Sequence, residues 1–210
     1  SICECGVCKC AEPLRQVAAV HALKAHADTC RFLGLSLGLA LILILALTLP
    51  RRVAIVDIDV HHGNGTQAAF WDDASLIYAS SHQMPLYPGT GAAHEKGAHN
   101  NIFNLPYALG TSGAQIIKGW RDSLLSAIVD AAPDLVIISA GFDAHIDDPL
   151  GGLAMQTADF ATLTSDIAAC VQKIADTTGG CRLVSLLEGG YNLDALGQSV
   201  CAHLRALEAF

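Results

Sequence analysis

Positive charge is what this sequence has least of. Twelve Lys and Arg stand against 20 Asp and Glu, a formal net charge of −8. No basic stripe or Arg-rich run offsets the deficit, which argues against direct nucleic-acid binding. Basic partners such as Lys-rich protein tails or polyamines suit an acidic protein better. Internal repeats are also absent, which excludes solenoids and propellers. No small-residue cleavage site is clear beside the apolar run at 32–49, and about thirty residues precede it, so a signal peptide fits poorly. The eight cysteines lack ordinary structural-zinc spacing. Cys3, Cys5, Cys8 and Cys10 crowd together too tightly for such a site, and that start reads as disordered or aberrant. Cys30, Cys170, Cys181 and Cys201 are scattered. Such scatter suits core packing in a reducing intracellular compartment, cytoplasm or nucleus.

What is present changes character at Pro50. Phe32 to Leu49 is an 18-residue Leu/Ile/Ala/Gly run bracketed by Arg31 and Arg51-Arg52. A buried helix, a stretch translated out of frame and, as the minority alternative, a membrane anchor each account for it. The chain therefore divides into an atypical segment, 1–51, and a regular domain, 52–210. In the domain, strands are expected at Val53–Ile58, Leu76–Ser80, Asn101–Leu105 (nearer an edge), Leu135–Ser139 and Arg182–Leu187. A short helix is expected around Thr66–Trp71. Longer ones are expected at Ser112–Ala131, from Thr157 as N-cap to Asp176, and at Asp194–Ala209. Alternation of strand and helix predicts a three-layer α/β/α domain with a mainly parallel sheet.

The chemistry concentrates at strand ends. The apolar Val53-Ala54-Ile55-Val56 runs into Asp57-Ile58-Asp59-Val60-His61-His62. Alternation on a strand would send Asp57, Asp59 and His61 to one side and His62 to the other. Buried strands seldom finish in four ionisable residues unless these are paired or bound to something. Two further strands end in Ser139-Ala140-Gly141-Phe142-Asp143 and Leu187-Glu188-Gly189-Gly190-Tyr191-Asn192. In a parallel sheet all three ends share one edge, where ligands bind. Asp59, His61 and Asp143 would make an Asp₂His metal set with one position open, the mark of a catalytic site. Tyr191, beside glycines, would reach the same place to stabilise an oxyanion. Taken alone, Asp143 reads as a turn residue and Tyr191 as a packed aromatic.

These segments, together with Tyr87-Pro88-Gly89-Thr90-Gly91 and Asp148-Pro149-Leu150, resemble the zinc-dependent histone deacetylase superfamily, which includes acetoin-utilisation proteins and acetylpolyamine amidohydrolases. The resemblance runs from about Arg52 to the C-terminus. It implies an arginase/deacetylase-like fold and hydrolysis of an acetylated amine, acetyl-lysine or acetylpolyamine, to acetate and free amine. Asp59, His61 and Asp143 resemble the ligands of a single Zn²⁺, and Tyr191 the transition-state hydroxyl. Asp57, Asp59, His61, Ser80 and Ser81 resemble the shell of a structural K⁺ or Na⁺, with Asp59, His61 and Ser81 contributing backbone carbonyls. Tyr87, Gly141, Phe142, Leu150, Gly189 and Gly190 resemble residues of a narrow substrate tunnel.

The sequence also departs from that family. No His-His pair supplying a general base, and no Gly-Phe-Cys-x-x-Asn-Asn-like segment, is recognisable upstream. His21 and His26 are separate and lack the expected setting. The domain is therefore expected to be incomplete at its N-terminus, and the chain to bind zinc yet deacetylate poorly or not at all. A binuclear-manganese ureohydrolase is a rival on the same general fold. It would need carboxylates where Gly63 and His145 stand. A non-enzymatic reading, a zinc-bound module or membrane-tethered fragment, is the other alternative.

Overall fold

In the computed structural model the described residues are 52–210. The expectations for the cysteine-rich start, His21, His26, Cys30 and the run at 32–49 lie outside them. Within 52–210 the elements are β1 (Val53–Asp57), α1 (Asn64–Phe70), β2 (Leu76–Gln83), β3 (Ile102–Tyr107), α2 (Gly113–Gly119), a π-helical turn (Trp120–Leu124), α3 (Leu125–Ala131), β4 (Leu135–Ala140), α4 (Thr157–Thr178), β5 (Arg182–Leu187) and α5 (Leu193–Glu208).

The strands order as β3-β2-β1-β4-β5, every pairing parallel. The chain steps outward from β1 through β2 to β3, then returns to the other side of β1 for β4 and β5. β1 and β4 therefore flank the switch point of the sheet, where the crossovers diverge and a crevice opens beyond the carboxyl ends. Every residue of β1 and β2 is buried, which explains the apolar runs that open them, before each turns polar at its carboxyl end. β3 is an edge strand, as its weaker pattern implies.

One sheet face (Ala54, Val56, Ala79, Val136, Ile138) packs on Trp120, Leu124, Ile128 and on Phe160, Leu163, Ile167, Val171 and Ile174. These residues recur at helical spacing along the two long helical segments, so each segment presents one apolar face to the sheet. The opposite face holds Val53, Ile55, Tyr78 and Ile137, with Phe70 of α1 against them. Burial on this scale supplies the main stabilising free energy, about 25 cal/mol for each Å² of apolar area. Asn101 ties the α1–β2 turn to β3: its Nδ2 lies 2.8, 3.1 and 2.8 Å from the carbonyls of Phe70, Asp73 and Leu76.

Two expectations are corrected. The helix expected over Ser112–Ala131 is broken by the π-helical turn, where the indole of buried Trp120 reaches Ser81 Oγ at 2.9 Å. A wider turn changes the helical phase, and a 3.6-residue pattern does not reveal it. The residue capping α4 is Gln156, whose N–H donates to Asp159 Oδ2 at 2.8 Å, while Thr157 Oγ1 sits 3.4 Å from His145 Nε2. Among the described residues no helix is long and apolar enough to cross a membrane.

Candidate metal centre

β1 ends at Asp57, and the chain then wraps its own amides around carboxylates. Asp57 Oδ1 accepts from Asp59 N at 3.1 Å, and Asp59 Oδ1 accepts from His61 N at 2.8 Å. Val60 N donates to Asp143 Oδ1 at 2.8 Å, joining this loop to the one leaving β4. Gly189 N, on the loop leaving β5, donates to Asp59 Oδ2 at 3.1 Å. Three strand ends thus meet on two carboxylates.

His61 stands between them. Its Nδ1 lies 3.1 Å from Asp59 Oδ1 and 3.1 Å from Asp143 Oδ2. One donor atom from each residue falls within 4.8 Å of the others, and no other group of three or more His, Cys, Asp or Glu ligands occurs among the described residues. Asp143 is fully buried; the other two are half-buried. Burial pushes the Asp143 carboxyl up to about 6, against the pull of the His61 hydrogen bond. Hydrogen bonds to Asp143 and then Asp59 raise His61 to about 10. Two acids around one imidazole demand positive charge at Nδ1, from a proton or a metal ion.

The surroundings are cut to fit. A Cβ on Gly141 would collide with Asp59 Oδ2, and one on Gly189 with both carboxylates. Two carboxylate oxygens and an imidazole nitrogen, converging with a side left open, form a donor set suited to a zinc-type ion. The residues fit the metal that the sequence implies.

Tyr191 stands at the rim, half its surface exposed. Burial first, then the charges of Asp143 and Asp59, raise its phenol above the usual value. The hydroxyl therefore sits in the field of the triad and keeps its proton. Its backbone is clamped despite the neighbouring glycines: Tyr191 N donates to Asp148 Oδ2 at 2.8 Å. Asp148 Oδ1 meanwhile accepts from Leu150 N (2.8 Å) and Gly151 N (3.1 Å). Asn192 Oδ1 then caps α5 through the amides of Asp194 and Ala195. Sequence reasoning gave Asp148 no role; the Asp-Pro-Leu-Gly turn was the available signal.

The remaining expected site residues divide. Asp57 and Ser80 are register partners on β1 and β2. Asp57 is buried beside the Tyr78 hydroxyl, which donates to its Oδ2 at 2.8 Å, and burial raises its carboxyl well above the usual range. Ser80 Oγ lies 2.9 Å from His82 Nδ1, whereas the Ser81 hydroxyl accepts from Trp120. Tyr87 and Leu150 are exposed, and Gly141 and Gly189 are buried against the carboxylates. Gly190 takes φ +134, a backbone conformation that favours glycine. Phe142 is a correction: it is 2 % exposed, and its ring packs on Phe160 and His203 at centroid distances of 5.1 and 5.6 Å. It belongs to the core and presents no tunnel wall, because its ring leaves the loop after β4 on the side covered by α4 and α5.

His62 points away from the triad, as alternation implies. Its Nδ1 lies 2.8 Å from Thr90 Oγ1 and its Nε2 2.9 Å from Gln67 Oε1. His145 Nδ1 accepts from Asp147 N at 3.1 Å and its Nε2 lies 3.4 Å from Thr157 Oγ1, so this imidazole is engaged outside the triad.

The chain matches the histone deacetylase domain family over residues 21–207. It is 41% identical over 159 residues to histone deacetylase 10, chloroplastic, of Oryza sativa subsp. japonica, covering 74% of this chain and 35% of that one. To a probable deacetylase of Archaeoglobus fulgidus it is 36% identical, covering 68% and 40%. Among solved structures it resembles the HDA15 HD domain (TM-score 0.69, 38% identity, 80% of this chain and 48% of that one). It also resembles acetylpolyamine aminohydrolase from Burkholderia pseudomallei (TM-score 0.70, 31% identity, 79% and 47%). The chain spans less than half the length of each of these relatives.

Proposed function

The chain belongs to the histone deacetylase family, and from that premise we propose that it is a zinc-dependent deacetylase module acting on an acetylated amine, with weak turnover of its own. The observation that carries the reading is the convergence of Asp59, His61 Nδ1 and Asp143 at the switch point of the sheet. These three side chains would hold one Zn²⁺. The chemistry such an ion supplies is Lewis acidity, which polarises an amide carbonyl and acidifies water near neutral pH.

The chain's own residues do the rest. Tyr191, kept protonated by burial and then by its acidic neighbours, donates its hydroxyl to the oxygen that gains charge as the amide is attacked. Gly141 and Gly189 let the backbone close on the two carboxylates, where any side chain would collide with them. Exposed Tyr87 and Leu150 flank the approach of an alkyl chain such as lysine's or a polyamine's. Asp57 and Ser80, with the backbone carbonyls of Asp59, His61 and Ser81, would take K⁺ or Na⁺, offsetting the buried acids. A net charge of −8 favours cationic substrates over nucleic acid. Free Cys170, Cys181 and Cys201 suit a reducing compartment.

Weak turnover follows from the histidines. Among the described residues His62, His82, His145 and His203 bond to partners outside the triad, and His94 and His99 are exposed. No described imidazole is placed as a base, an aid worth about 10²–10⁴ in rate. The same observation favours a second reading, a zinc-bound module that grips an acylated amine without cleaving it. A fluorogenic acetyl-lysine peptide assay on the zinc-loaded full chain tests both. Turnover at least about 100-fold below a complete family enzyme is expected. Family-like turnover contradicts weak activity, and no turnover with retained peptide binding selects the second reading.

A further inference from the structure

The loop from 84 to 101, between β2 and β3, carries Tyr87 and contains no helix or strand. A buried polar chain fastens it to the turn that follows His61. The Glu95 carboxylate accepts from Gly91 N at 3.3 Å, from Ala92 N at 3.0 Å and from Gln67 Nε2 at 2.5 Å. Gln67 Oε1 is therefore an acceptor, and it receives both Asn104 Nδ2 (2.7 Å) and His62 Nε2–H (2.9 Å). A neutral His62 then accepts at Nδ1 from the Thr90 hydroxyl. His82 Nε2–H donates to the Gly91 carbonyl at 2.9 Å, and its ring lies 4.7 Å from that of His62. Gly91, at φ +90, presses so closely on both rings that a Cβ there would collide with each.

His62 is thus the one side chain that follows a triad residue directly in sequence and also holds the Tyr87 loop. Fixing His61 by a ligand fixes the peptide from which His62 reaches Thr90. We propose that His62 is a positioning residue that couples metal occupancy of the triad to the order of residues 84–92, through its hydrogen bond with Thr90. The inference rests on the zinc reading of Asp59, His61 and Asp143. It goes beyond that reading by assigning His62 and Thr90 a part in shaping the substrate approach.

The test is hydrogen exchange of peptides covering 84–92 in the full chain, zinc-free and at saturating zinc, with bound zinc counted in parallel. Wild type is expected to exchange more slowly when zinc is bound. Thr90→Val and Thr90→Ala should bind zinc but lose about fivefold of that protection, the scale of one hydrogen bond. Thr90→Ser, which keeps the hydroxyl, should restore it. A purely structural role would lower protection equally with and without zinc. Zinc bound by wild type with no change in 84–92, or undiminished protection in both Thr90→Val and Thr90→Ala, overturns the coupling while leaving the zinc reading intact. No zinc bound by wild type overturns the zinc reading, and the coupling with it.

Discussion

His61 and His62 are adjacent in sequence and opposite in circumstance. His61 faces two carboxylates and is raised to about 10. His62 faces Gln67 and Thr90, and burial lowers it below its ordinary value. The difference lies in what each peptide unit turns toward, since both rings leave the same loop beyond β1. One side of that loop meets the ends of β4 and β5, where acids gather; the other meets α1 and the Tyr87 loop, where the direct partners of His62 are an amide and a hydroxyl. Partner chemistry, and not residue type, separates a metal ligand from a fastener.

The largest effect should come from breaking the acidic side. His61→Ala or Asp143→Ala is expected to weaken zinc binding by more than about 100-fold in a chelator competition. His62→Phe should change it by no more than about fivefold. Equal losses at the two histidines would dissolve the distinction. Next, Tyr191→Phe should leave zinc affinity unchanged and lower whatever turnover the chain has by about 100-fold.

The pH dependence sharpens the neutral side. Burial holds His203 down at about 4, where it bonds Thr164 Oγ1 and Ser185 Oγ at 2.7 and 2.8 Å. A histidine depressed in the folded state lets the unfolded chain take up a proton first. Its stabilising contribution is therefore complete above about pH 6.5 and disappears as pH falls toward 4. The shift corresponds to at most about 3 kcal/mol. Denaturant titrations should show stability falling over this window, and His203→Gln should flatten the fall. The smallest effect belongs to Phe142→Leu, which should cost about 1–2 kcal/mol in the same titrations and leave zinc affinity untouched. A loss of affinity would return Phe142 to the site.

Much of this was legible from residue order. Strand-and-helix alternation gave the parallel sheet, and three chemically loaded strand ends gave the triad, because parallel strands deliver their ends to one edge. The inward faces of the long helices were legible for the same kind of reason, a fixed period. What stayed hidden depends on contacts distant in sequence. Gln67, His82, Glu95 and Asn104 meet only once α1 and the Tyr87 loop pack on β2 and β3. Asp148 acquires its role by reaching Tyr191 across 43 residues. Phe142 was misplaced because its motif is shared with Asp143, whereas its ring packs on Phe160 and His203 while Asp143 meets His61. The π-helical turn at Trp120 was hidden because a local change of phase leaves the apolar spacing almost unchanged.

The central claim is that Asp59, His61 and Asp143 hold one zinc ion. X-ray absorption at the zinc edge, on full chain loaded with one equivalent, tests it most directly. A first shell of oxygen and nitrogen with one imidazole, lost in Asp143→Ala, is the expected result. A sulfur shell, or a spectrum unchanged by Asp143→Ala, would contradict it.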